Sequence, residues 1–261
     1  MGIVNVTPDS FSDGGVHFDP REAIAAADAM LRSGADVVDV GGESTRPGSG
    51  EVDAAEELER VLPVVRDLAA GRAVVSIDTR HAPVALACVA AGAAIINDIS
   101  GFSGPAMVDV ACACDAGLVV MHMQGDPRTM QVEPAYDDVV AEVAAFLRAR
   151  VADLVGAGID PLRIAVDPGL GFGKTAAHNL ELLRRLDEIV ALGYPVLVGA
   201  SRKRFIGDIT GVAEPRERLA GSIAAALGSA ERGAAILRVH DVAETVQALA
   251  VARAIEGGGN R

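Results

Sequence analysis

The sequence predicts an α/β protein of the (β/α)8 TIM-barrel class, one domain over residues 1–261. Three observations predict it. Short apolar runs alternate with helix-like stretches eight times, at spacings of ~30 residues, with no linker or low-complexity break. The runs are continuously apolar rather than alternating, as in strands buried on both faces. Each run also ends in polar or charged residues, at the end where a barrel keeps its chemistry. A doubly wound open sheet is the rival with the same alternation.

Residues 1–6 (MGIVNV) read as a strand already under way at its first residue, as though clipped. The loop TPDSFSDGGVHFD leads into a helix over 20–33, with Pro20 suited to the first turn and Gly34 closing it. The second strand is 35–42 (ADVVDVGG), followed by the loop ESTRPGSG and a long acidic-then-apolar helix over 52–70. The third strand, 73–79 (AVVSIDT), precedes a helix over 81–91 ended by Gly92. The fourth, 93–100 (AAIINDIS), precedes a helix over 105–114, and the fifth, 117–123 (GLVVMHM), precedes the longest helix, 137–156. Ile164, Ala165 and Val166 form the sixth strand, stopped after Asp167 by Pro168 and Gly169, with a helix over 179–192. The seventh, 194–201 (YPVLVGAS), leads into a broken helical region reaching 233. The eighth, 234–240 (AAILRVH), precedes the last helix, 242–256, and a tail at 257–261 that reads as frayed.

Composition narrows the function. A formal charge of −13 disfavours nonspecific nucleic-acid binding, which needs a basic face. It leaves room for a small anionic substrate where basic residues are gathered locally. Tryptophan is absent and aromatics are few, which disfavours stacking platforms for single strands. Cys88, Cys112 and Cys114 form no C-x-x-C pair and lie in Ala-rich helical segments, so they read as small buried hydrophobes in a reducing cytosol. No apolar run reaches the ~20 residues of a membrane span and no charged leader is evident, which predicts a soluble cytoplasmic protein.

Reading only the strand ends gives Asn5, then Glu43 to Arg46, Asp78, Asn97 and Asp98, His122 or Gln124, Asp167, Ser201 to Lys203, and Arg238 with His240. Any one could be a solvated strand end. Together they would build a ring of two characters. Asp78, Asn97 and Asp167 offer acceptors to a ligand rich in N–H donors. Arg238, His240 and Asn5 offer donors, and an oxygen for a hard cation, suited to phosphate. The N-terminus of the helix beginning near Val242 adds to the anion site, although Asp241, a natural N-cap, would compete for its N–H groups. Gly169, Gly171 and Gly173 read as a loop supple enough to move over a ligand.

Two motifs are set aside. GLGFGKT at 169–175 looks like a Walker A loop, but Pro168 stands where that spacing requires glycine. Met121-His122-Met123 offers a single histidine without ligand-spaced partners, the usual mark of a hydrogen-bonded core residue.

The segments MGIVNVTPDSFSDGG, DVVDVGGESTRPG, SIDT, IINDIS, VMHMQG, VDPGLGFGKT, LVGASRKRFIG and RVHDV resemble, in order, the motifs of the dihydropteroate synthase family. The resemblance implies joining of 6-hydroxymethyl-7,8-dihydropterin diphosphate to p-aminobenzoate, with release of diphosphate. It implies that Asp78, Asn97, Met121, Asp167 and Lys203 hold the pterin. Asn5, Thr45, Arg46, Arg238 and His240 would hold the diphosphate, with Mg2+ on Asn5. Phe11, Thr45, Pro47, Phe172, Ser201 and Lys203 would line the p-aminobenzoate pocket. Asp78, Asp167, Lys203 and Arg238 would carry the chemistry, in a homodimer that binds neither nucleic acid nor membrane. The loops 7–19 and 43–50 carry little apolar content, so p-aminobenzoate is expected to bind well only after diphosphate, Mg2+ and pterin. The competing readings are a methyltetrahydrofolate-binding methyltransferase module, which shares the pterin-holding acids, and a pterin-binding paralogue without catalysis.

Overall fold

The computed structural model describes residues 1–7, 19–43, 52–126, 129–255 and 257. Strands β1 (Gly2–Asn5), β2 (Val38–Gly41), β3 (Val75–Asp78), β4 (Ile95–Asp98), β5 (Gly117–Met121) and β6 (Ile164–Asp167) form one parallel sheet in chain order. Strand β7 (Leu197–Val198) pairs in parallel with β8 (Ile236–Leu237). Parallel bridges between Val166 and Val196, and between Gly2 and Val239, join the two pieces at both edges. The last seam is carried by Ile3 N to Val239 O and Val239 N to Met1 O, both 3.0 Å. The sheet is therefore closed, which excludes the open doubly wound alternative and agrees with the expected barrel.

The helices are α1 (Pro20–Arg32), α2 (Ala54–Ala70), α3 (Ala82–Ala90), α4 (Pro105–Cys112), α5 (Val139–Gly156), α6 (Ala176–Arg184), α7 (Leu186–Val190), α8 (Arg204–Thr210), α9 (Leu219–Glu231) and α10 (Val242–Ile255). Local chemistry sets their starts. Asp19, Asp53 and Asp138 each accept from first-turn N–H groups, and Thr175 forms a capping box with His178. The single helix expected over 179–192 is two, α6 and α7, broken at Arg185, whose guanidinium is drawn to Asp138 and Glu188. Of the cysteines only Cys88 is buried; Cys112 is exposed, so the expectation that all three are core holds for one.

Alternation along the strands divides the core in two. Val38, Val40, Val75, Ile77, Ile96, Leu118, Val120, Ile164 and Val166 point outward and pack with helix residues such as Val61, Val65, Leu147 and Leu182. Val119, Ala165 and Leu197 point inward, with Met1, Ile95 and Ile236 against them, and fill the barrel. The next inward positions toward the carboxyl ends are Asp78, Asn97, Met121, Asp167 and Arg238, one pleat period beyond Ser76, Ile95, Val119, Ala165 and Ile236. An apolar plug thus floors a polar rim.

Candidate active site

Strand register assembles that rim. Asn5 lies opposite Gly41, Gly41 opposite Asp78, Asp78 opposite Asn97, and Met121 opposite Asp167. Residues up to 162 positions apart in sequence, Asn5 to Asp167, are thereby brought to one barrel mouth.

The charge arrangement differs from a simple division into pterin acids and phosphate bases. Arg238 donates from Nε to Asp39 Oδ2 and from Nη2 to Asp78 Oδ2, both at 2.6 Å. Besides the roles expected of it on the diphosphate and in the chemistry, it is the counter-ion of the acceptor side. Asp39 is fully buried and was not among the expected site residues. Its Oδ2 also accepts from Asn97 Nδ2 at 3.1 Å, which turns the amide so that its oxygen is left for a ligand donor. Asp39 Oδ1 has no hydrogen-bond partner, nor has Ser76 Oγ on the neighbouring strand. The signal for Asp39 was present in sequence: an acid in the middle of an apolar strand, in phase with Gly41.

Burial dominates the protonation of the rim acids. It pushes Asp78 up to about 7, helped by Asp39 and opposed by Arg238. Burial also raises Asp167, against the Gly169 N–H that donates to its Oδ1 at 2.7 Å and the charge of Lys203. Lys203 is pushed down to about 8 by burial and by Arg238. Burial works against the Arg238 guanidinium too, but the Asp39 and Asp78 carboxylates prevail and hold it charged. A measurable consequence follows for Asp78. The ionised carboxylate is the form that accepts from paired N–H donors, so affinity for a donor-rich heterocycle should fall as pH drops through about 7. Stability of the ligand-free protein should run the other way. With its folded pKa raised from 3.8 to about 7, Asp78 takes up its proton in the native state first, and favours folding more as pH falls through that window. Calorimetric titrations across pH should lose the inflection near 7 in Asp78→Asn; an unchanged profile would remove Asp78 from the ligand-facing acids.

The β6–α6 loop is packed, not supple as expected. Gly169 has φ +67°, and a Cβ there would lie 1.9 Å from His122 O. At Gly173, with φ +63°, a Cβ would lie 2.5 Å from Gln124 O. The glycines allow this loop to lie against the end of β5. Gln131 donates to Gly171 O at 2.6 Å, Tyr136 to Gly173 O at 2.8 Å, and Asn179 Oδ1 accepts from Gly171 N at 2.7 Å. Phe172 is thereby held with its ring centroid 4.2 Å from Lys203 Nζ. His122 is a buried, hydrogen-bonded residue, as expected, in contact with Lys174 Nζ through Nδ1 at 2.9 Å.

On the β7 and β8 side, Ser201 Oγ lies 3.0 Å from His240 Nδ1. Asp241 does not compete for an anion with its carboxylate free. That group is taken by Arg202, whose Nε donates to Oδ2 at 3.1 Å and whose Nη2 bonds Oδ1. Arg202 adopts φ +59°, turning its own side chain to Asp241 while Lys203 faces the rim acids. Two expected strand-end residues are taken elsewhere. Asp98 accepts from Ser100 N at 2.7 Å, Ser100 Oγ at 2.9 Å and Phe102 N at 2.8 Å, closing the turn after β4. Glu43 holds Arg80 through two contacts of 3.1 and 3.0 Å. Phe11, Thr45, Arg46 and Pro47 lie outside the described residues.

Among the described residues no three His, Cys, Asp or Glu side chains gather as a metal site. A hard divalent cation here would have Asn5 as a neutral oxygen donor and would take its remaining ligands from water and substrate oxygens, the habit of Mg2+. The donor set fits an ion that arrives with a diphosphate.

Residues 1–240 match the family described as pterin binding enzyme. A dihydropteroate synthase of Neisseria meningitidis serogroup B is 49% identical over 261 residues, 98% of this chain and 92% of its own. The dihydropteroate synthase of Xanthomonas albilineans solved with 4-aminobenzoic acid is 50% identical, with a TM-score of 0.93 over 98% of this chain and 92% of that one. The same enzyme in complex with 7,8-dihydropteroate is matched at 48% identity and TM-score 0.89, over 98% of this chain and 92% of that one.

Proposed function

The chain belongs to the pterin-binding enzyme family, among its dihydropteroate synthases, and from that premise we infer that it joins 6-hydroxymethyl-7,8-dihydropterin diphosphate to p-aminobenzoate. The products are 7,8-dihydropteroate and diphosphate, in folate biosynthesis. The observation that carries this reading is the barrel-mouth ring in which Asp78, Asn97 and Asp167 present acceptors beside the cations Lys203 and Arg238.

In the reaction the C–O bond from the pterin methylene to diphosphate breaks, a C–N bond to the arylamine forms, and the amine nitrogen loses a proton. Asp78, Asn97 and Asp167 are assigned to the N–H donors of the pterin, and Lys203 to its ring carbonyl. Met121, buried beside Asp167 on the neighbouring strand, packs on the ring. Departure of diphosphate leaves positive charge on the pterin methylene, which the carboxylates of Asp78 and Asp167 stabilise in a site shielded from water. Asn5, Arg238 and His240 are assigned to the diphosphate. Asn5 would hold a Mg2+ ion that we propose accompanies the diphosphate, where it would help neutralise the leaving charge. Phe172, Ser201 and Lys203 are assigned to the p-aminobenzoate end; on the family resemblance alone we assign Phe11, Thr45 and Pro47 to it as well, and Thr45 and Arg46 to the diphosphate. None of these steps needs a covalent enzyme nucleophile.

No helix among the described residues is long and apolar enough to cross a membrane. We place the protein in the cytoplasm, as a homodimer after the habit of its family. Incubation with the pterin diphosphate, Mg2+ and p-aminobenzoate should yield dihydropteroate. Binding of the pterin without product would instead leave a silent paralogue or the methyltransferase reading, which a titration with methyltetrahydrofolate separates.

A further inference from the structure

Lys174 closes the GLGFGKT stretch that resembles a phosphate loop without being one, and the reaction above gives it no part. Its side chain is only 3% exposed. Among the described residues no carboxylate lies within ion-pair distance of it; its partners are neutral. Nζ lies 2.9 Å from His122 Nδ1, 2.9 Å from Phe172 O and 3.4 Å from His122 O. Three acceptors surround the nitrogen, so the protonated amine uses every donor. Burial pushes the Lys174 pKa down to about 7, against the pull of the Asp167 carboxylate, and an apolar side chain of equal length would fill the space more cheaply. What the amine achieves is placement. It ties the end of β5, through both the ring and the carbonyl of His122, to the backbone of Phe172 in the next loop.

The His122 ring is itself fixed, edge-to-face on Phe146 with centroids 4.9 Å apart. Burial, and the Lys174 charge beside it, push its pKa down to about 3, so the imidazole is neutral and Nδ1 is an acceptor. Phe172 in turn sits with its ring 4.2 Å from Lys203 Nζ. A chain of fixed contacts therefore runs from the β5 end through Lys174 to the Phe172 ring and on to Lys203.

We propose that Lys174 is a positioning residue: anchored on His122 and the Phe172 carbonyl, it sets the Phe172 ring against Lys203 and so shapes the arylamine end of the pocket. This rests on the reading of the site given under Proposed function, and its test has one arm that does not depend on turnover.

Lys174→Met keeps length and apolar bulk but removes all three donors. The chain has no tryptophan, so Phe172→Trp gives a fluorophore that reports this ring position alone. In that background Lys174→Met should lower the steady-state anisotropy of the indole and shift its emission; an unchanged spectrum and anisotropy would overturn the proposal, whatever the activity. In the natural background, KM for p-aminobenzoate should rise by about tenfold, within the range a misplaced binding group costs. KM for the pterin diphosphate should change less than about twofold. The same substitution made beside Phe172→Leu should add little, because its effect passes through the ring. Equal changes in both KM values, or full additivity with Phe172→Leu, would mark Lys174 as a general structural residue. If Lys174→Met does not fold, Lys174→Gln, which retains one amide donor group, should fold and show the same substrate selectivity at smaller size. Wild-type protein that makes no dihydropteroate would fail the functional reading, and the anisotropy arm would still decide the role of Lys174.

Discussion

Arg238→Ala is expected to cost about 3–5 kcal/mol of stability and to weaken binding of the pterin and of its diphosphate together. The side chain is 19% exposed and its guanidinium bonds two carboxylates, Asp39 at 2.6 Å and Asp78 at 2.6 Å. Asp39 is wholly buried and one of its oxygens already lacks a partner. Removing Arg238 would leave its other oxygen only the amide of Asn97, in the same barrel floor as the Asp78 carboxylate. Against a domain stability of about 5–15 kcal/mol that loss is large. A second substitution separates charge from shape. Arg238→Met with Asp39→Asn removes the cation and one anion together, and should recover most of the stability while diphosphate affinity stays low. Denaturant titration and calorimetry on the three proteins decide it. An Arg238→Ala protein as stable as wild type, with only diphosphate binding impaired, would show that the guanidinium serves the leaving group and not the floor.

Asp167→Asn is expected to reduce pterin affinity by at least tenfold, about 1.4 kcal/mol or more, with stability held or raised. The substituted amide can still accept from Gly169 N through Oδ1, so the turn after β6 keeps its 2.7 Å contact. Its other end becomes an N–H pair facing a ligand edge that is itself made of N–H donors, and both donors then lose their hydration without a partner. Stability moves the other way because burial disfavours the Asp167 charge, as the raised pKa records. Pterin titrations and thermal melts should therefore separate. A variant that binds normally but melts early would make Asp167 a structural cap.

The barrel was legible without coordinates because its causes are local. Eight continuously apolar runs, Pro20 in the first turn of α1, and the Pro168 and Gly169 stop after β6 are read within a few residues of each other. The strand-end rule then carried Asn5, Asp78, Asn97, Asp167 and Arg238 to one rim, because parallel strands with one hand of connection put every carboxyl end on the same side. Direction along a strand is a property of sequence order.

Distance across the barrel is not. Asp39 and Arg238 are separated by 199 positions, and nothing within either segment says that the guanidinium reaches down to that acid. Only the stagger of closed strands decides it, and with it the division of Arg238 between floor and leaving group. Lys174 was visible as the end of a glycine motif, yet whether those glycines flex or pack depends on His122 O and Gln124 O lying where a Cβ would stand. The same holds for Asp241, whose carboxylate is taken by Arg202 from the preceding strand end. Sequence determined which residues stand at the mouth of the barrel, since that follows from alternation and chain direction. Tertiary structure decided which of them neutralise each other, since burial makes a charge depend on whatever carboxylate or guanidinium closure of the sheet places within about 3 Å of it.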